Sequence, residues 1–290
     1  MLKGYKYRLY PTKEQATLIN KHIGSCRFIY NLALEVKNCA YATQRKNVTC
    51  FDLMNQLPDL KSERKWLNEV DSQALQHSVI DLDKAFTQFF KGHAGFPKFK
   101  SKYNSQSFRN PHGNKVMMKD GRLFQPKFTK QGIKIVMDRG FKGEIRSTAI
   151  RKAPTGKYFV SILVDNKKSL PKLKKIKQES SVGIDLGIKS FIVTSGGLKT
   201  GNPRHLQKSL SHVKYLGRQH SKKKKGGQNR KKSQFRLALC HEKITDQRKG
   251  FLHKLSAELI KNHDTLCFET LKIENMVKNH TVAQAVQSAG

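Results

Sequence analysis

Apolar and polar residues alternate from the start of the chain. Tyr5, Tyr7 and Leu9 are separated by Lys6 and Arg8, the period of a half-exposed strand. Pro11 ends the run, and Thr12 with Gln15 spells a capping box for a helix. Leu18, Ile19, His22, Ile23, Cys26, Ile29, Tyr30, Ala33 and Val36 then recur at spacings of three and four, one face of a long amphipathic helix. A second helical stretch runs from about Gln73 to Phe90, with Leu75, Val79, Leu82, Phe86 and Phe89 on one side. The first ninety residues thus read as a strand followed by a helical bundle.

After Gly92 the period shortens to that of strands. Val116–Lys119 and Arg122–Phe124 flank Asp120-Gly121, a pair that suits a hairpin turn because both positions need positive φ. Ile133–Met137, Glu144–Arg151 and Lys157–Val164 continue the series, the last two joined through Pro154-Thr155-Gly156. Short strands at this spacing predict a small β-barrel, with the opening strand Lys3–Leu9 closing it. The helical block at about 12–92 is then an insertion, and barrel and helices are expected to have separate cores. Residues 165–181 hold six lysines, one proline and no apolar periodicity, so 166–181 reads as a linker after a first domain at 1–165. Beyond it lie a buried strand at Ser181–Leu186, a tight turn, a second strand at Ser190–Ser195, two helices and a third strand, Thr265–Glu269. The fold class is mixed, α+β.

Charge narrows the function. The chain has 57 Lys+Arg against 21 Asp+Glu, a formal net charge of +36, which repels itself unless an anion neutralises it. Nucleic acid fits best, since each phosphate contact also releases counterions. No apolar run reaches the ~18 residues of a membrane span and the first residues lack a signal peptide's apolar segment. The five cysteines include no Cys-x-x-Cys pair, which argues against a disulfide scaffold and against a zinc site, and for reduced thiols in the cytoplasm. Between Lys199 and Lys254 there are 17 Lys+Arg and only two acids, Glu242 and Asp246. Lys222, Lys223, Lys224, Lys225, Arg230, Lys231, Lys232, Arg248 and Lys254 are the candidate nucleic-acid contacts there, with a solvated helical face as the plainer reading. Phe96–Lys102 and Arg109 interleave cations with aromatics. Lys98, Lys100, Lys102 and Arg109 therefore suggest a backbone-and-stacking surface for RNA, or else an ordinary barrel edge.

Two acids stand out. Asp185 lies within Val182-Gly183-Ile184-Asp185-Leu186-Gly187, and Glu269 closes the apolar run Leu266–Phe268. A buried carboxylate needs a partner or a metal. Two acids at the ends of neighbouring strands suit a cutter of phosphodiesters that uses paired Mg²⁺ ions. The alternative is that Asp185 caps the following turn and Glu269 is a solvated strand end. The run around Asp185 is also similar to the phosphate hairpin of sugar kinases and actin. That hairpin continues with Thr or Ser, where this chain has Ile188-Lys189.

These residues carry a resemblance to the TnpB (OrfB) family of transposon-encoded RNA-guided DNA endonucleases. It rests on Tyr7-Arg8-Leu9-Tyr10-Pro11, on Gly24-Ser25-Cys26-Arg27-Phe28-Ile29-Tyr30-Asn31 and on Ala74-Leu75-Gln76. Phe96–Lys102, Ser107-Phe108-Arg109, Val182–Gly187, Gln247–Ser256 and Glu269–Met276 complete it in order. The resemblance implies a wedge-type β-barrel with an inserted helical recognition lobe, then a RuvC nuclease domain of RNase H fold at 182–290. It makes Asp185 and Glu269 the first two catalytic, Mg²⁺-binding acids, with guide RNA and target DNA as partners. It places Gln76 where the family reads a short duplex motif, a role an amide can fill by pairing with adenine. The family also continues into a zinc ribbon and a third catalytic Asp, whereas no acid follows Glu274 here. The expectation is therefore a partial RuvC domain without zinc and a weak or inactive nuclease. The alternatives are a nuclease-dead RNA-guided DNA binder or a non-catalytic RNA-binding protein.

Overall fold

A computed structural model describes residues 1–103, 105–111, 113–128, 130–171 and 175–289, with only the backbone described at Asn114, His280, Thr281, Val282, Gln287 and Ala289. The chain forms two compact units, Met1–Leu170 and Pro171–Gly290. Lys172, Leu173 and Lys174 of the expected linker lie outside the described residues.

The first unit opens with strand β1 (Leu2–Tyr10) and helix α1 (Lys13–Gln44). The capping box forms as spelled: the Thr12 hydroxyl accepts from the Gln15 backbone N–H, and the Gln15 side chain accepts from Thr12 N–H. Two short helices, α2 (Cys50–Asn55) and α3 (Leu57–Glu63), lead to α4 (Ser72–Phe90). Strands β2 (Gln106–Asn110), β3 (Met117–Lys119), β4 (Arg122–Phe124), β5 (Ile133–Val136), β6 (Glu144–Lys152) and β7 (Tyr158–Asp165) follow. Asp120 and Gly121 both take positive φ, so the β3–β4 hairpin is the one the Asp-Gly pair requires.

These strands make one antiparallel sheet in the order β2-β6-β7-β1-β5-β4-β3. The sheet is open, which corrects the expected barrel. Its edge strands β2 and β3 do not pair, and β1 lies in the middle between β7 and β5 instead of closing a ring. The physical reason lies at β2, whose inward residues are taken by the helical segment. Phe108 packs against the His22 ring of α1 at 4.9 Å, and the Asn110 amide donates to Asp71 at 3.0 Å. Helices and sheet consequently share one core. Ile19, Ile23, Leu75 and Leu82 from the helices join Leu9, Ile150, Val160 and Ile162 from the sheet in a single buried cluster, so the expected separate cores do not exist.

The second unit contains β8 (Ser181–Leu186), β9 (Ser190–Thr194), β10 (Lys199–Gly201), α5 (His205–Ser221) and α6 (Gln228–Asn262). β11 (Thr265–Phe268), α7 (Ile273–Lys278) and α8 (His280–Ala289) complete it. Its sheet runs β10-β9-β8-β11, with β9 antiparallel and β11 parallel to β8. Val182, Ile184 and Ile192 pack with Leu255 and Leu259 of α6, so the long helix covers one face of this sheet.

Candidate metal and nucleic-acid sites

Alternation along β8 decides where Asp185 points. Val182 and Ile184 are buried under α6, so Gly183 and Asp185 belong to the opposite face, and Asp185 is exposed. The expectation of a buried carboxylate is thereby corrected: α6 covers the other side, and water reaches this one. β11 runs parallel to β8 with Cys267 beside Gly183 and Phe268 beside Ile184. The ladder ends there, and Asp185 and Glu269 are the next residues along the two chains. Glu269 is itself exposed and sits just past the last paired residue of β11, not within the strand as the sequence suggested.

The turn after Asp185 is built tightly. Gly187 N–H donates to the Phe191 carbonyl at 3.2 Å, and a Cβ at Gly187 would meet the Ser190 carbonyl oxygen at 2.7 Å. On the other side the Ser195 hydroxyl accepts from Gly183 N–H, and Ser195 N–H donates to the Gly183 carbonyl. These bonds hold the end of β8, and the carboxylate beside it, against β9. Asp185 and Glu269 supply hard oxygen donors open to water, which suits a Mg²⁺ that keeps most of its waters. Among the described residues no group of three or more His, Cys, Asp or Glu is placed to hold a metal.

The basic candidates separate into kinds. Lys222, Lys224 and Lys225 are exposed at the turn between α5 and α6, Lys223 is half-buried there, and Lys231, Lys232 and Lys254 are exposed on α6. Arg230 is committed locally: its guanidinium donates to the backbone carbonyls of His220 at 3.2 Å and Lys223 at 2.7 Å, tying the turn shut. Arg248 is half-buried on α6. In the first unit Gln76 is half-buried on α4, while Lys98 and Lys102 are exposed, the latter 5.3 Å over the Tyr103 ring. Lys100 lies 3.6 Å from the centre of the Tyr30 ring, and its backbone exchanges two hydrogen bonds with the Asn31 side chain. Arg109 is exposed on β2.

Lys100 and Arg109 line a common cleft with Arg27, His77 and Asp81, three residues to which the sequence gave no role. Arg27 stands inside one of the motifs already noted, and His77 and Asp81 are one helical turn apart, the only sequence signal they carry. His77 Nδ1 sits 3.3 Å from the Asp81 carboxylate. Burial works against the charge on Asp81, but the adjacent His77 imidazole, with Lys100 and Arg109 as further neighbours, outweighs it and holds the carboxyl below its usual range. Burial pushes Lys100 the other way, below the usual range of an ammonium, with Asp81 and Cys26 opposing.

Residues 161–280 match a family model described as "Probable transposase". Over 291 residues the chain is 32% identical to a "Putative RNA-guided DNA endonuclease" of Streptomyces pristinaespiralis, covering 99% of this chain and 71% of that protein. The chain belongs to the TnpB (OrfB) family. A second relative, "Putative RNA-guided DNA endonuclease InsQ" of Escherichia coli (strain K12), is 30% identical over 280 residues, covering 96% of this chain and 68% of that one. Residues 1–46 of this TnpB-family chain also match a model described as a helix-turn-helix domain, although here they form one strand and one long helix. Among solved structures, the chain in "Cryo-EM structure of the Cas12f1-sgRNA-target DNA complex" shares the fold. It has a TM-score of 0.52 at 11% identity and covers 100% of this TnpB-family chain and 86% of its own.

Proposed function

We propose that this chain is an RNA-guided DNA endonuclease that carries a guide RNA and cuts matching DNA with Mg²⁺. What supports this reading is the parallel pairing of β8 and β11 as far as Ile184 and Phe268, the next residue of each chain being an exposed acid, Asp185 and Glu269. Family membership and the charge of +36 support the nucleic-acid partners. The first unit is then the wedge, with α1–α4 inserted between β1 and β2 as the recognition part. The second unit is the RuvC-like domain, a reading supported by an antiparallel β10-β9-β8 ribbon with β11 added in parallel.

Asp185 and Glu269 would hold the Mg²⁺ ion, which supplies charge neutralisation at the phosphate and a more acidic bound water. What the chain itself does is position. Gly187 and Ser195 fix the end of β8, α6 braces the opposite face, and the exposed lysines of α5 and α6 attract the strand. A second reading, DNA occupancy without efficient cutting, is favoured by there being two carboxylates and no third among the described residues.

A programmed cleavage assay separates the two. The chain loaded with its guide is incubated with matched and mismatched DNA, with Mg²⁺ or chelator, as wild type and as Asp185→Ala. Matched-only, Mg²⁺-dependent cutting that Asp185→Ala abolishes, with occupancy retained, is expected. Occupancy with no cutting by either form selects the second reading, and no guide-dependent occupancy rejects both.

A further inference from the structure

Stretches of the first unit that are far apart in sequence converge on one cleft of about 210 Å³. Arg27 of α1, His77 and Asp81 of α4, Lys100 of the following loop and Arg109 of β2 line it. Arg27, Lys100 and Arg109 therefore stand against one carboxylate, leaving an excess of positive charge in the cleft.

Among the described residues lining the cleft Asp81 is the only carboxylate, so pairing between helix and sheet leaves cations over. Asp81 is answered by His77, Lys100 and Arg109. Lys100 is further held by the Tyr30 ring, and Arg27 gives one N–H to the neutral Gln106 side chain at 2.9 Å. Arg27 and Arg109 thus keep guanidinium donors for a ligand, and a guanidinium fork matches phosphate oxygens two at a time. We propose that this cleft seats a phosphate ester, gripped by Arg27 and Arg109 with Lys100 beneath it. The ester is either a backbone phosphodiester of bound nucleic acid or the phosphate of a free nucleotide. The first source rests on the nucleic-acid reading above; the second does not.

Lys100 lines the cleft with its ammonium over the Tyr30 ring, so acetylation of that ammonium reports on the cleft without any substitution. The full chain is pulse-acetylated alone, with an RNA oligonucleotide, with adenosine monophosphate and with inorganic pyrophosphate, and modification of Lys100 is read by mass spectrometry. RNA affinity is measured in parallel across salt for wild type, Arg27→Gln and Arg109→Gln. RNA protection of Lys100, with each substitution weakening binding about tenfold and lowering the salt slope by about one, identifies a backbone phosphate. Protection by the monophosphate or pyrophosphate, with the RNA slope unchanged, identifies a free phosphate ester and equally supports the site. Steep RNA binding with Lys100 fully reactive in every sample overturns the cleft and leaves the nucleic-acid reading standing. Absence of RNA binding with Lys100 protected by pyrophosphate overturns that reading and leaves the cleft. Absence of both overturns both.

Discussion

His22 is locked as a neutral imidazole by its neighbours. Nδ1 lies 2.8 Å from the Leu18 carbonyl, so it carries the hydrogen, and Nε2 accepts the Asp71 backbone N–H at 3.1 Å. The ring is fully buried between Phe108 and Phe128. Burial pushes its pKa below the ordinary 6.5, with the Leu18 carbonyl and Asp71 opposing less strongly. The folded state therefore refuses a proton that the unfolded chain accepts. Its contribution to stability is complete above about 6.5 and is lost as pH falls from there toward the depressed folded value. Urea unfolding followed by the chain's single tryptophan, Trp66, which packs edge-on to Phe28 at 5.2 Å, reads the first unit. Stability should fall between pH 7 and 5, and His22→Gln should flatten that fall by up to one proton, about 1.4 kcal/mol per pH unit. An unchanged slope in the variant would show that His22 is not the group responsible.

Among elements, the turn between β8 and β9 is the most exacting near the candidate site. Placing a methyl at Gly187 drives it into the Ser190 carbonyl, so Gly187→Ala must shift the backbone, at a cost of about 1–3 kcal/mol. Amide exchange in residues 183–195 should speed up while the first unit is untouched; equal protection would mean that the turn relaxes freely. This turn was legible in the sequence because Gly and an apolar run flank it, as were α1 from its capping box and the β3–β4 hairpin from Asp120-Gly121. Other elements left weaker traces. Gln106–Asn110 is polar at four of its five positions and becomes a strand only because Phe108 and Asn110 face the helices. Helices α2 and α3 span six and seven residues, too short to show a period, and such helices depend on packing and caps such as Thr49 with Asp52. The barrel was inferred from strand spacing, which sets strand number but not closure; closure depends on contacts between β2 and the helices that no local pattern encodes. At the candidate site, Asp185 and Glu269 were legible as charges in apolar runs, but their exposure depends on which face α6 covers. The cleft around Asp81 depends wholly on residues brought together from distant segments.

At the scale of the whole molecule, +36 of net charge and two separately organised units describe a protein completed by a polyanion. The functional account turns on one geometric claim, that the fold brings Asp185 and Glu269 onto a single cation. Cleavage assays address it only through activity. Iron mapping addresses it directly: Fe²⁺ substitutes for Mg²⁺ in the full chain, peroxide and ascorbate generate hydroxyl radicals at the bound ion, and the backbone cuts are located. The account predicts cuts clustered near both 185 and 269, competed by excess Mg²⁺ and lost together in Asp185→Ala. Cuts near only one of the two acids, or a pattern that Asp185→Ala leaves unchanged, would contradict it.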